Sequence, residues 1–406
     1  MIEALFSSDN IGPKAFRNHP PIPEMKPDFE GETLKCRAAV AWGGKRMSIE
    51  MVDVEPPKEG EVRIKILFNA LCHTDLAIID GMKNAQYPTI PGHEATAAVE
   101  SVGPGVSDFQ PGDIVMPLPI PQCKKCEMCL RGDTNLCVES LTCETAVTCT
   151  MADGTTRIKC QGKEIFSSFG LSCFSEYTVV KKIALVKINP HAPVDRVCLV
   201  GCGLATGYGA AINTAKIKEG DSVAIIGVGC IGLSAVQGAK HCAAKEIICI
   251  DRNEEKFQIA EEMGATKCIN PLKCPNGKKF SQWFLETIGP VDQSIECVGD
   301  KDCMRWAVEI VKKGYGRAVI LGIPPEDQEI SFSPLLLLEG RTVVGGTIGD
   351  WHTVDDLPKL VDKVMNGELE TDQMITHRFQ LEQLAEAIEL MKTGKCIRVV
   401  FQMANE

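Results

Sequence analysis

The sequence predicts an α/β fold combined with a β barrel, in two domains. The chain has 406 residues, which is too long for one ordinary hydrophobic core. From Leu34 to Leu118, short strand-like stretches alternate with Gly/Pro turns, a pattern typical of a small barrel. After Gly220, apolar strands alternate with helical patterns, which predicts a doubly wound parallel sheet.

Composition restricts the class of protein and its partners. The apolar share of 44% and the charged share of 24% are typical of a soluble globular protein. A net charge of −11 argues against nucleic acid or an anionic membrane as the main partner. No apolar run is long enough to span a membrane, and the N-terminus lacks the pattern of a signal or transit peptide.

The 20 cysteines would suggest disulfides in a secreted chain, but here they favour reduced thiols in a cytoplasmic enzyme. Residues 1–31, which contain four prolines between Pro13 and Pro23, are predicted to form a disordered arm.

The barrel elements follow from alternation and turns. Val62–Ile66 alternates apolar and polar residues as a half-buried strand does. Glu94–Val102 and Gly112–Met116 are predicted as further strands. The stretch Cys72-His73-Thr74-Asp75 falls where a strand ends and a short helix can begin, and His93 follows Pro91-Gly92 at the start of the next strand.

Cys72, His93 and Cys202 offer two thiols and one imidazole. Zinc held by three such ligands keeps a fourth position open for water or substrate. The alternative is that all three are core residues distant in sequence, because a free cysteine is often a small buried hydrophobe. The motifs around each residue favour the metal site.

A second cysteine cluster has the spacing of a closed metal site. Cys123, Cys126 and Cys129 recur every three residues, and Cys137 follows after eight more. Four thiolates on one loop predict a structural zinc that stabilises a loop lacking its own core. Such sites also occur in nucleic-acid binders, but no basic stripe lies nearby. The stretch from Val138 to Phe174 shows no clear periodicity, and its cysteines are expected to be ordinary core or loop thiols: Cys143, Cys149, Cys160 and Cys173.

The second domain opens on a glycine motif with a specific context. The apolar strand Val223–Ile226 runs directly into Gly227-Val228-Gly229-Cys230-Ile231-Gly232, and a helical pattern continues to Ala243. The next strand, Glu246–Ile250, ends at Asp251. This strand–turn–helix context predicts a dinucleotide-binding site, in which Asp251 binds the ribose hydroxyls and favours NAD over NADP. The alternative for Asp251 is a solvated carboxylate at a strand end.

Strand and helix patterns alternate further along the chain. The predicted strands are Lys267–Ile269, Val291–Glu296 and Arg317–Leu321, and the predicted helices are Glu254–Met263, Phe280–Ile288 and Asp302–Val311. Two more helices and a final strand, Ile397–Phe401, are expected to pack back on the first domain.

From about Leu34 onward, the chain resembles the zinc-dependent medium-chain alcohol dehydrogenases, of the zinc alcohol dehydrogenase type. Motifs that carry the resemblance are Cys72-His73-Thr74-Asp75, Pro91-Gly92-His93-Glu94, the four-cysteine loop, Gly201-Cys202-Gly203, Thr206-Gly207-Tyr208-Gly209, the glycine motif with Asp251, and Ile397-Arg398. The resemblance implies a GroES-like catalytic domain at 32–204 and 349–406, with a zinc lobe at 119–140. It also implies a Rossmann NAD-binding domain at 205–348 and a homodimer.

The resemblance further implies the roles of individual residues. The catalytic zinc ligands would be Cys72, His93 and Cys202, with Glu94 able to approach the metal. Asp75 would orient the His93 ring, and Thr74 would hydrogen-bond the alcohol. Two zinc ions per chain and NAD are the implied cofactors. The implied cofactor-binding residues are His73, Thr206, Gly227, Val228, Gly229, Cys230, Ile231, Gly232, Asp251, Lys256, Leu321, Gly322, Ile323, Gly346, Thr347, Ile348 and Arg398.

The implied activity is reversible hydride transfer between a primary, possibly bulky, alcohol and NAD, with zinc polarising the substrate oxygen. Some positions depart from the family pattern. Ala77 replaces the histidine that completes the proton relay in many relatives, and Pro119 and Ser168 stand at or near positions that carry pocket aromatics. Lys83 and Leu141 differ from the residues of the glutathione-dependent formaldehyde branch near these positions, so activity on a formaldehyde–glutathione adduct is not expected.

Two other hypotheses remain open. The chain could be a specialised reductase of the same fold that acts on a larger metabolite, as the missing relay histidine and altered pocket suggest. It could instead be a non-catalytic structural or binding protein stapled by zinc, which the intact ligand and cofactor motifs argue against.

Overall fold

The structure is a computed structural model that describes residues 31–141, 148–325 and 327–403. The arm predicted at 1–31 therefore lies, except for Gly31, outside the described residues. Nineteen strands alternate with twelve α-helices in this part of the chain. Among the described residues, no single helix has the length and apolar composition to cross a membrane. One bent pair, Val194–Gly201 with Gly203–Thr214, meets that test by length and composition alone.

The strands are numbered in chain order. They are β1 (Leu34–Gly43), β2 (Arg46–Val54), β3 (Glu61–Leu71), β4 (Thr89–Ile90), β5 (Ala95–Val102), β6 (Ile114–Pro117), β7 (Thr148–Cys149), β8 (Ile158–Cys160), β9 (Lys163–Ser168), β10 (Tyr177–Lys181), β11 (Leu185–Lys187), β12 (Ser222–Ile226), β13 (Glu246–Ile250), β14 (Lys267–Ile269), β15 (Gln293–Glu296), β16 (Arg317–Ile320), β17 (Thr342–Gly345), β18 (Ile375–Gln380) and β19 (Arg398–Gln402).

The α-helices follow the same numbering. They are α1 (His73–Asp80), α2 (Glu127–Arg131), α3 (Val138–Leu141), α4 (Val194–Val197), α5 (Gly203–Gly209), α6 (Cys230–His241), α7 (Phe257–Met263), α8 (Phe280–Thr287), α9 (Lys301–Glu309), α10 (Leu335–Leu338), α11 (Thr353–Met365) and α12 (Leu384–Lys392). The helix predicted at Glu254–Met263 begins with a 3-10 turn at Glu254–Lys256 before α7.

Two sheets form the barrel-like part. In the first, the strand order is β4-β1-β2-β8-β9-β7, and β4 also pairs with β9, so that five strands close on themselves. In the second, the order is β11-β6-β5-β3-β19-β18, and β10 pairs with β3. Buried aliphatic side chains fill the space between these sheets, as expected for strands with one face on a common core.

The third sheet is entirely parallel, with the strand order β14-β13-β12-β15-β16-β17. This order reverses direction between β12 and β15, the position at which doubly wound sheets bind nucleotides. All five residues of β12 are buried, since the sheet is covered on both faces. The predicted combination of a β barrel and a doubly wound α/β sheet is thus observed.

The segment without periodicity contains structure that the sequence pattern did not indicate. Strands β7 and β8 are two and three residues long, too short for an alternating pattern to emerge. Cys149, expected to be an ordinary thiol, is disulfide-bonded, and this corrects the expectation of fully reduced cysteines. The remaining cysteines of the described residues form no disulfide.

The chain returns to the barrel-like part after the parallel sheet. β19 pairs antiparallel with β3, so Arg398 comes close to the end of the strand that leads into Cys72. Helix α5 packs along α6, the helix that follows the glycine motif. The domain boundaries at 204/205 and 348/349 stay predictions.

Candidate active site

Three separate elements bring Cys72, His93, Glu94 and Cys202 together. One ligand atom from each residue lies within 4.8 Å of the others. Cys72 caps the N-terminus of α1, His93 and Glu94 precede β5, and Cys202 precedes α5. The four side chains are between 0% and 9% exposed, so the cluster is shielded from bulk water.

Asp75 fixes the geometry around this cluster. As the third residue of α1, it accepts the backbone N–H of Cys72 at 3.0 Å, which satisfies a free donor of the helix start. Its other carboxylate oxygen lies 2.9 Å from the backbone N of Gly92 and 3.0 Å from Nδ1 of His93. This contact leaves Nε2 of the imidazole for a metal. Burial lowers the pKa of His93, but the Asp75 carboxylate outweighs it and holds that pKa well above its ordinary value.

Glu94 and Arg398 form a buried ion pair behind the thiols. Their carboxylate and guanidinium lie 3.4 Å apart, and Arg398 also donates to the carbonyl of Leu71 at 2.8 Å. Burial raises the pKa of Glu94 to about 7 despite the cation. Apart from this ion pair, Glu94 Oε2 has no hydrogen-bond partner among the described residues, and neither does Arg398 Nε, so each retains capacity for a further ligand.

The two thiols interact directly. Their sulfurs lie within 4.8 Å of each other, and this contact lowers the pKa of Cys72 well below its ordinary value and raises that of Cys202 well above it, because a thiolate at one sulfur opposes ionisation of the other. Two sulfurs, one imidazole and a carboxylate are the donor set that zinc prefers, and three of them leave a coordination position open. The residues present therefore fit a catalytic zinc.

Thr74 and Ala77 occupy the first turns of α1. The Thr74 hydroxyl lies 3.8 Å from the Cys72 sulfur, whereas Ala77 offers no polar atom to continue a relay. Phe169 stands beside the cluster, with its ring centroid 5.0 Å from that of His93. Sequence reasoning identified the neighbouring Ser168, which is buried, but missed Phe169, since no pattern in this loop marks it.

The four-cysteine loop forms a second cluster. Cys123, Cys126, Cys129 and Cys137 place their sulfurs within 4.8 Å of one another. Backbone N–H groups of the loop also point at sulfur, from Cys123 to Cys137 at 3.4 Å and from Cys126 to Cys123 at 3.3 Å. Hydrogen bonding from the Cys129 backbone lowers the pKa of Cys126 to about 6, which favours a thiolate. This arrangement fits a closed, structural zinc site.

The glycine motif forms the tight turn between β12 and α6. Gly227 has φ +92°, and a Cβ on Gly232 would lie 1.9 Å from the Gly227 carbonyl, so both positions require glycine. A Cβ on Gly229, the N-cap of α6, would meet nothing within 4 Å, so the backbone there is open to a ligand. Asp251 accepts the Val228 N–H at 2.7 Å, which fixes its carboxylate at the turn. The turn fits a pyrophosphate and an adjacent ribose.

The other predicted cofactor residues surround the same edge of the parallel sheet. Leu321, Gly322 and Ile323 follow β16, and Gly346, Thr347 and Ile348 follow β17. Both strands end at the carboxyl edge where β12 meets the glycine turn. His73 is exposed at the start of α1, Thr206 is buried in α5, and Ile231 and Lys256 are half-buried.

Glu296 is a buried residue at this edge that sequence reasoning missed. Its carboxylate accepts the N–H groups of Val298 and Gly299 at 2.7 and 2.8 Å. A Cβ on Gly322 would lie 2.7 Å from its other oxygen, so the carboxylate sits between the loops that follow β15 and β16. Unlike Asp251, Glu296 lies on a strand that does not follow the glycine motif, so nothing in the sequence distinguished it from a solvated charge at a strand end.

Comparisons with known proteins agree with this geometry. Residues 58–190 match the family described as "Alcohol dehydrogenase GroES-like domain", and residues 230–365 match "Zinc-binding dehydrogenase". The chain is 45% identical over 375 residues to an alcohol dehydrogenase class-3 of Caenorhabditis elegans, covering 91% of this chain and 97% of the relative. It is also 45% identical to the class-3 enzyme of Myxine glutinosa, covering 92% of this chain and 100% of that one.

Solved structures show the same fold. The benzyl alcohol dehydrogenase of Acinetobacter calcoaceticus superposes with a TM-score of 0.82 at 26% identity, covering 91% of this chain and 100% of that chain. The fold class predicted from the sequence, a GroES-like part with a Rossmann-type sheet, is confirmed.

Proposed function

Since the chain belongs to the zinc-dependent medium-chain alcohol dehydrogenases, we propose that it transfers hydride reversibly between a primary alcohol and NAD. One observation carries the proposal: the metal-capable cluster and the dinucleotide turn meet at Gly203. A Cβ on Gly203 would lie 2.3 Å from the Arg398 guanidinium and 2.8 Å from the Cys230 sulfur, at the first residue of α6. A substrate oxygen at the cluster and a nicotinamide at the sheet edge would therefore be neighbours.

Cys72, His93 and Cys202 would hold the catalytic zinc, which supplies Lewis-acid polarisation of the substrate oxygen when bound. Asp75 keeps the His93 ring in one orientation through the 3.0 Å contact with Nδ1. Glu94 stays beside the ligands through its ion pair with Arg398. The Thr74 hydroxyl, 3.8 Å from the Cys72 sulfur, would accept the alcohol proton. Because Ala77 has no polar side-chain atom, the next proton transfer would go to water or to a cofactor hydroxyl.

NAD would supply the hydride acceptor, and the chain's residues would hold its three parts. The open backbone of Gly229 and the N-terminus of α6 would bind the pyrophosphate, together with Arg398 and His73. Asp251 would accept from the ribose hydroxyls, and Lys256 would contact the same sugar. The loops at Leu321–Ile323 and Gly346–Ile348 would line the nicotinamide site. Thr206 and Ile231 would pack behind it.

The proposal includes a second zinc at Cys123, Cys126, Cys129 and Cys137, giving two per chain. Its support is the cluster of four sulfurs within 4.8 Å of one another, a donor set that can close a tetrahedral site. The lobe contacts the rest of the chain through Asn135, whose side-chain amide donates to the Thr347 carbonyl at 2.6 Å. A closed site here would therefore also brace one predicted cofactor loop.

A homodimer and a cytoplasmic location complete the proposal. β17 is an edge strand of the parallel sheet among the described residues, and α10 just before it exposes three leucines. Leu335, Leu337 and Leu338 are 63%, 45% and 81% exposed, an apolar surface that a second copy could cover. The many free thiols of the described residues support a reducing compartment.

A specialised reductase for a larger aldehyde is the second candidate. Ala77 weakens the relay that alcohol oxidation needs, and Phe169 beside His93 narrows one side of the cluster while Ser168 is small. Lys83, paired with Asp327 at 2.8 Å, further separates this chain from the pattern of the glutathione-dependent branch.

The deciding experiment is NADH formation by the purified protein over ethanol to octanol, cinnamyl alcohol and a glutathione–formaldehyde adduct, with NAD and NADP in parallel. NAD-linked oxidation of simple alcohols supports the alcohol dehydrogenase. If no compound in the panel is oxidised although the protein contains two zincs per chain and binds NADH, the specialised reductase is favoured. Absence of both catalytic zinc and NADH binding would favour a structural or binding protein and contradict the proposal.

Cofactor preference has its own test. Asp251→Ser should shift the NAD/NADP ratio of kcat/KM towards NADP, because the carboxylate that repels a 2′-phosphate is gone. Glu254→Ser, at an exposed position three residues on, is the matched control. If the NAD/NADP ratio of kcat/KM is unchanged in the Asp251 variant, this residue does not discriminate between a free ribose hydroxyl and a 2′-phosphate.

A further inference from the structure

Two cysteines lie side by side in the parallel sheet, remote from both metal-capable clusters. Cys249 on β13 and Cys268 on β14 are direct partners in the strand register. Side chains of directly paired residues on adjacent parallel strands project to the same face. Both belong to, or pack against, the core between this face and helices α6 and α7. We propose that Cys249 and Cys268 form a reversible oxidation site, at which a peroxide creates an intramolecular disulfide that weakens dinucleotide binding.

A reversible oxidation site needs one thiol that peroxide can reach and one protected thiol beside it, and the two cysteines differ in exposure in this way. Cys249 is fully buried, whereas Cys268 is half-buried on β14, the edge strand of this sheet among the described residues. A peroxide can therefore reach Cys268 from the open edge. Cys249 can be reached only by the neighbouring sulfur, which suits a resolving thiol.

The contact between the thiols favours the same division of roles. As register partners, the two thiols perturb each other: their contact lowers the pKa of Cys268 and, with burial, raises the pKa of Cys249 well above its ordinary value. The Cys268 thiol itself lies 3.9 Å from the Phe257 carbonyl. The thiolate is the form that attacks peroxides. Cys297, which also influences Cys249 electrostatically, has its pKa raised well above the ordinary value by burial and is a poorer nucleophile.

The chemistry balances with peroxide as the oxidant. The Cys268 thiolate attacks one peroxide oxygen, forms a sulfenic acid and releases the other oxygen as water after protonation. The Cys249 sulfur then attacks the sulfenic sulfur, the S–S bond forms and a second water leaves. Two thiols and one hydrogen peroxide thus become one disulfide and two waters, and a dithiol reductant reverses the change.

Closing this disulfide draws the two Cβ atoms together. Side chains of register partners project in parallel, so their Cβ atoms are separated by roughly the strand spacing of about 4.8 Å, whereas the Cβ atoms of a disulfide are about 3.5–4.5 Å apart. β14, only three residues long, is the element that can shift. The next residue, Ile269, accepts the backbone N–H of Asp251 at 3.1 Å. A shift of β14 therefore reaches the predicted ribose-binding carboxylate through one hydrogen bond.

The effect on binding rests on the proposed NAD site, whereas the disulfide itself does not. The first measurement is therefore peptide mapping. After treatment with hydrogen peroxide and alkylation of the remaining thiols, trypsin should release Glu246–Arg252 linked to Cys268–Lys273. Each of these peptides carries one cysteine, so the link is unambiguous. Dithiothreitol should separate them.

Variants identify the pair. Cys268→Ser should abolish the linked peptides. Cys249→Ala should abolish them as well, and it provides the second variant if serine on the edge strand perturbs folding. Cys274→Ser, at another half-buried thiol just beyond β14, should leave the link intact. Alkylation of both Cys249 and Cys268 after oxidation of other thiols would overturn the proposal. A link from Cys249 to the peptide that carries Cys297 would overturn it equally.

The second measurement is NADH affinity by fluorescence titration, before and after peroxide. The dissociation constant should rise about fivefold, as for one perturbed hydrogen bond, and recover with dithiothreitol. Oxidised Cys268→Ser should keep the unoxidised value, which separates this effect from damage at the zinc-site thiols. A linked pair with unchanged affinity would refute the switch. A protein that never binds NADH would refute the proposed function, while the peptide map would still test the disulfide.

Discussion

The two metal-capable clusters use similar atoms in opposite settings. The cluster of Cys72, His93, Glu94 and Cys202 draws its residues from positions up to 130 apart in sequence and buries all four. The four-cysteine cluster draws its residues from one loop of 15 positions and leaves three of its four cysteines half-buried. The tertiary fold brings the ligands of the buried cluster together, whereas the four cysteines are already close in sequence within one loop.

The difference in surroundings explains the difference in proposed role. Around the buried cluster, Asp75 makes three hydrogen bonds that fix ligands, and Glu94 and Arg398 hold opposite charges beside them. Around the loop cluster, backbone N–H groups supply the contacts to sulfur. A buried site with mixed ligands and unsatisfied polar atoms suits chemistry, whereas a closed all-sulfur site suits stability.

The strongest test of this comparison removes a ligand from the buried cluster. Cys202→Ser should lower NADH formation by at least about 10³-fold, because Lewis-acid stabilisation of several kcal/mol is lost. Thermal unfolding should change little, since Leu204, Ala205 and Tyr208 already hold α5 in the hydrophobic core. Cys198→Ser, at a buried thiol four residues earlier, is the matched control. A fully active Cys202 variant would contradict the catalytic assignment.

The matching change in the loop should reverse the pattern. Cys126→Ser should cost one zinc per chain and lower the unfolding temperature by roughly 5 °C or more, because metal binding contributes directly to folding. Activity measured well below that temperature should persist. Cys242→Ser, at a half-buried thiol outside both clusters, should leave zinc content unchanged. Loss of turnover without loss of stability would show that the loop takes part in catalysis.

Asp75→Asn tests how far the buried cluster depends on its supporting residue. An amide has one acceptor oxygen and cannot serve both the Cys72 and Gly92 sides, so activity or metal affinity should fall about 10- to 100-fold. Zinc analysis would show whether metal affinity falls, and separate kcat and KM values would show whether turnover or substrate binding is affected. An unchanged metal affinity together with an unchanged kcat would remove Asp75 from the proposed site.

The smallest effect is expected at the loop's exposed ion pair. Lys124 contacts Asp355 of α11 at 2.6 Å, but both side chains are more than half exposed. Lys124→Ala should therefore shift the unfolding temperature by less than about 2 °C. Gln122→Ala should lower the unfolding temperature by more than this, because the buried Gln122 side-chain amide contacts the His352 ring and its oxygen accepts the Val354 N–H. Calorimetry of both variants would show whether burial or charge docks this loop.

Local patterns were sufficient where the structure is local. The four-cysteine spacing predicted a cluster of sulfurs, and the strand before Gly227 predicted a turn into a helix. Both features lie within a short stretch of chain. Strands β7 and β8 escaped prediction because two or three residues cannot display a period. The disulfide at Cys149 escaped because a cysteine in an irregular segment shows no sign of its partner.

The sequence by itself determined the fold class, the family and the chemical types of the groups at both clusters, since these depend on periodicity and short motifs. Only the tertiary structure decided which groups meet. It placed Phe169 against His93, paired Glu94 with Arg398 across 304 positions, and set Cys249 beside Cys268 through strand register. Contacts between distant residues follow from how sheets pair and pack, which no local pattern encodes.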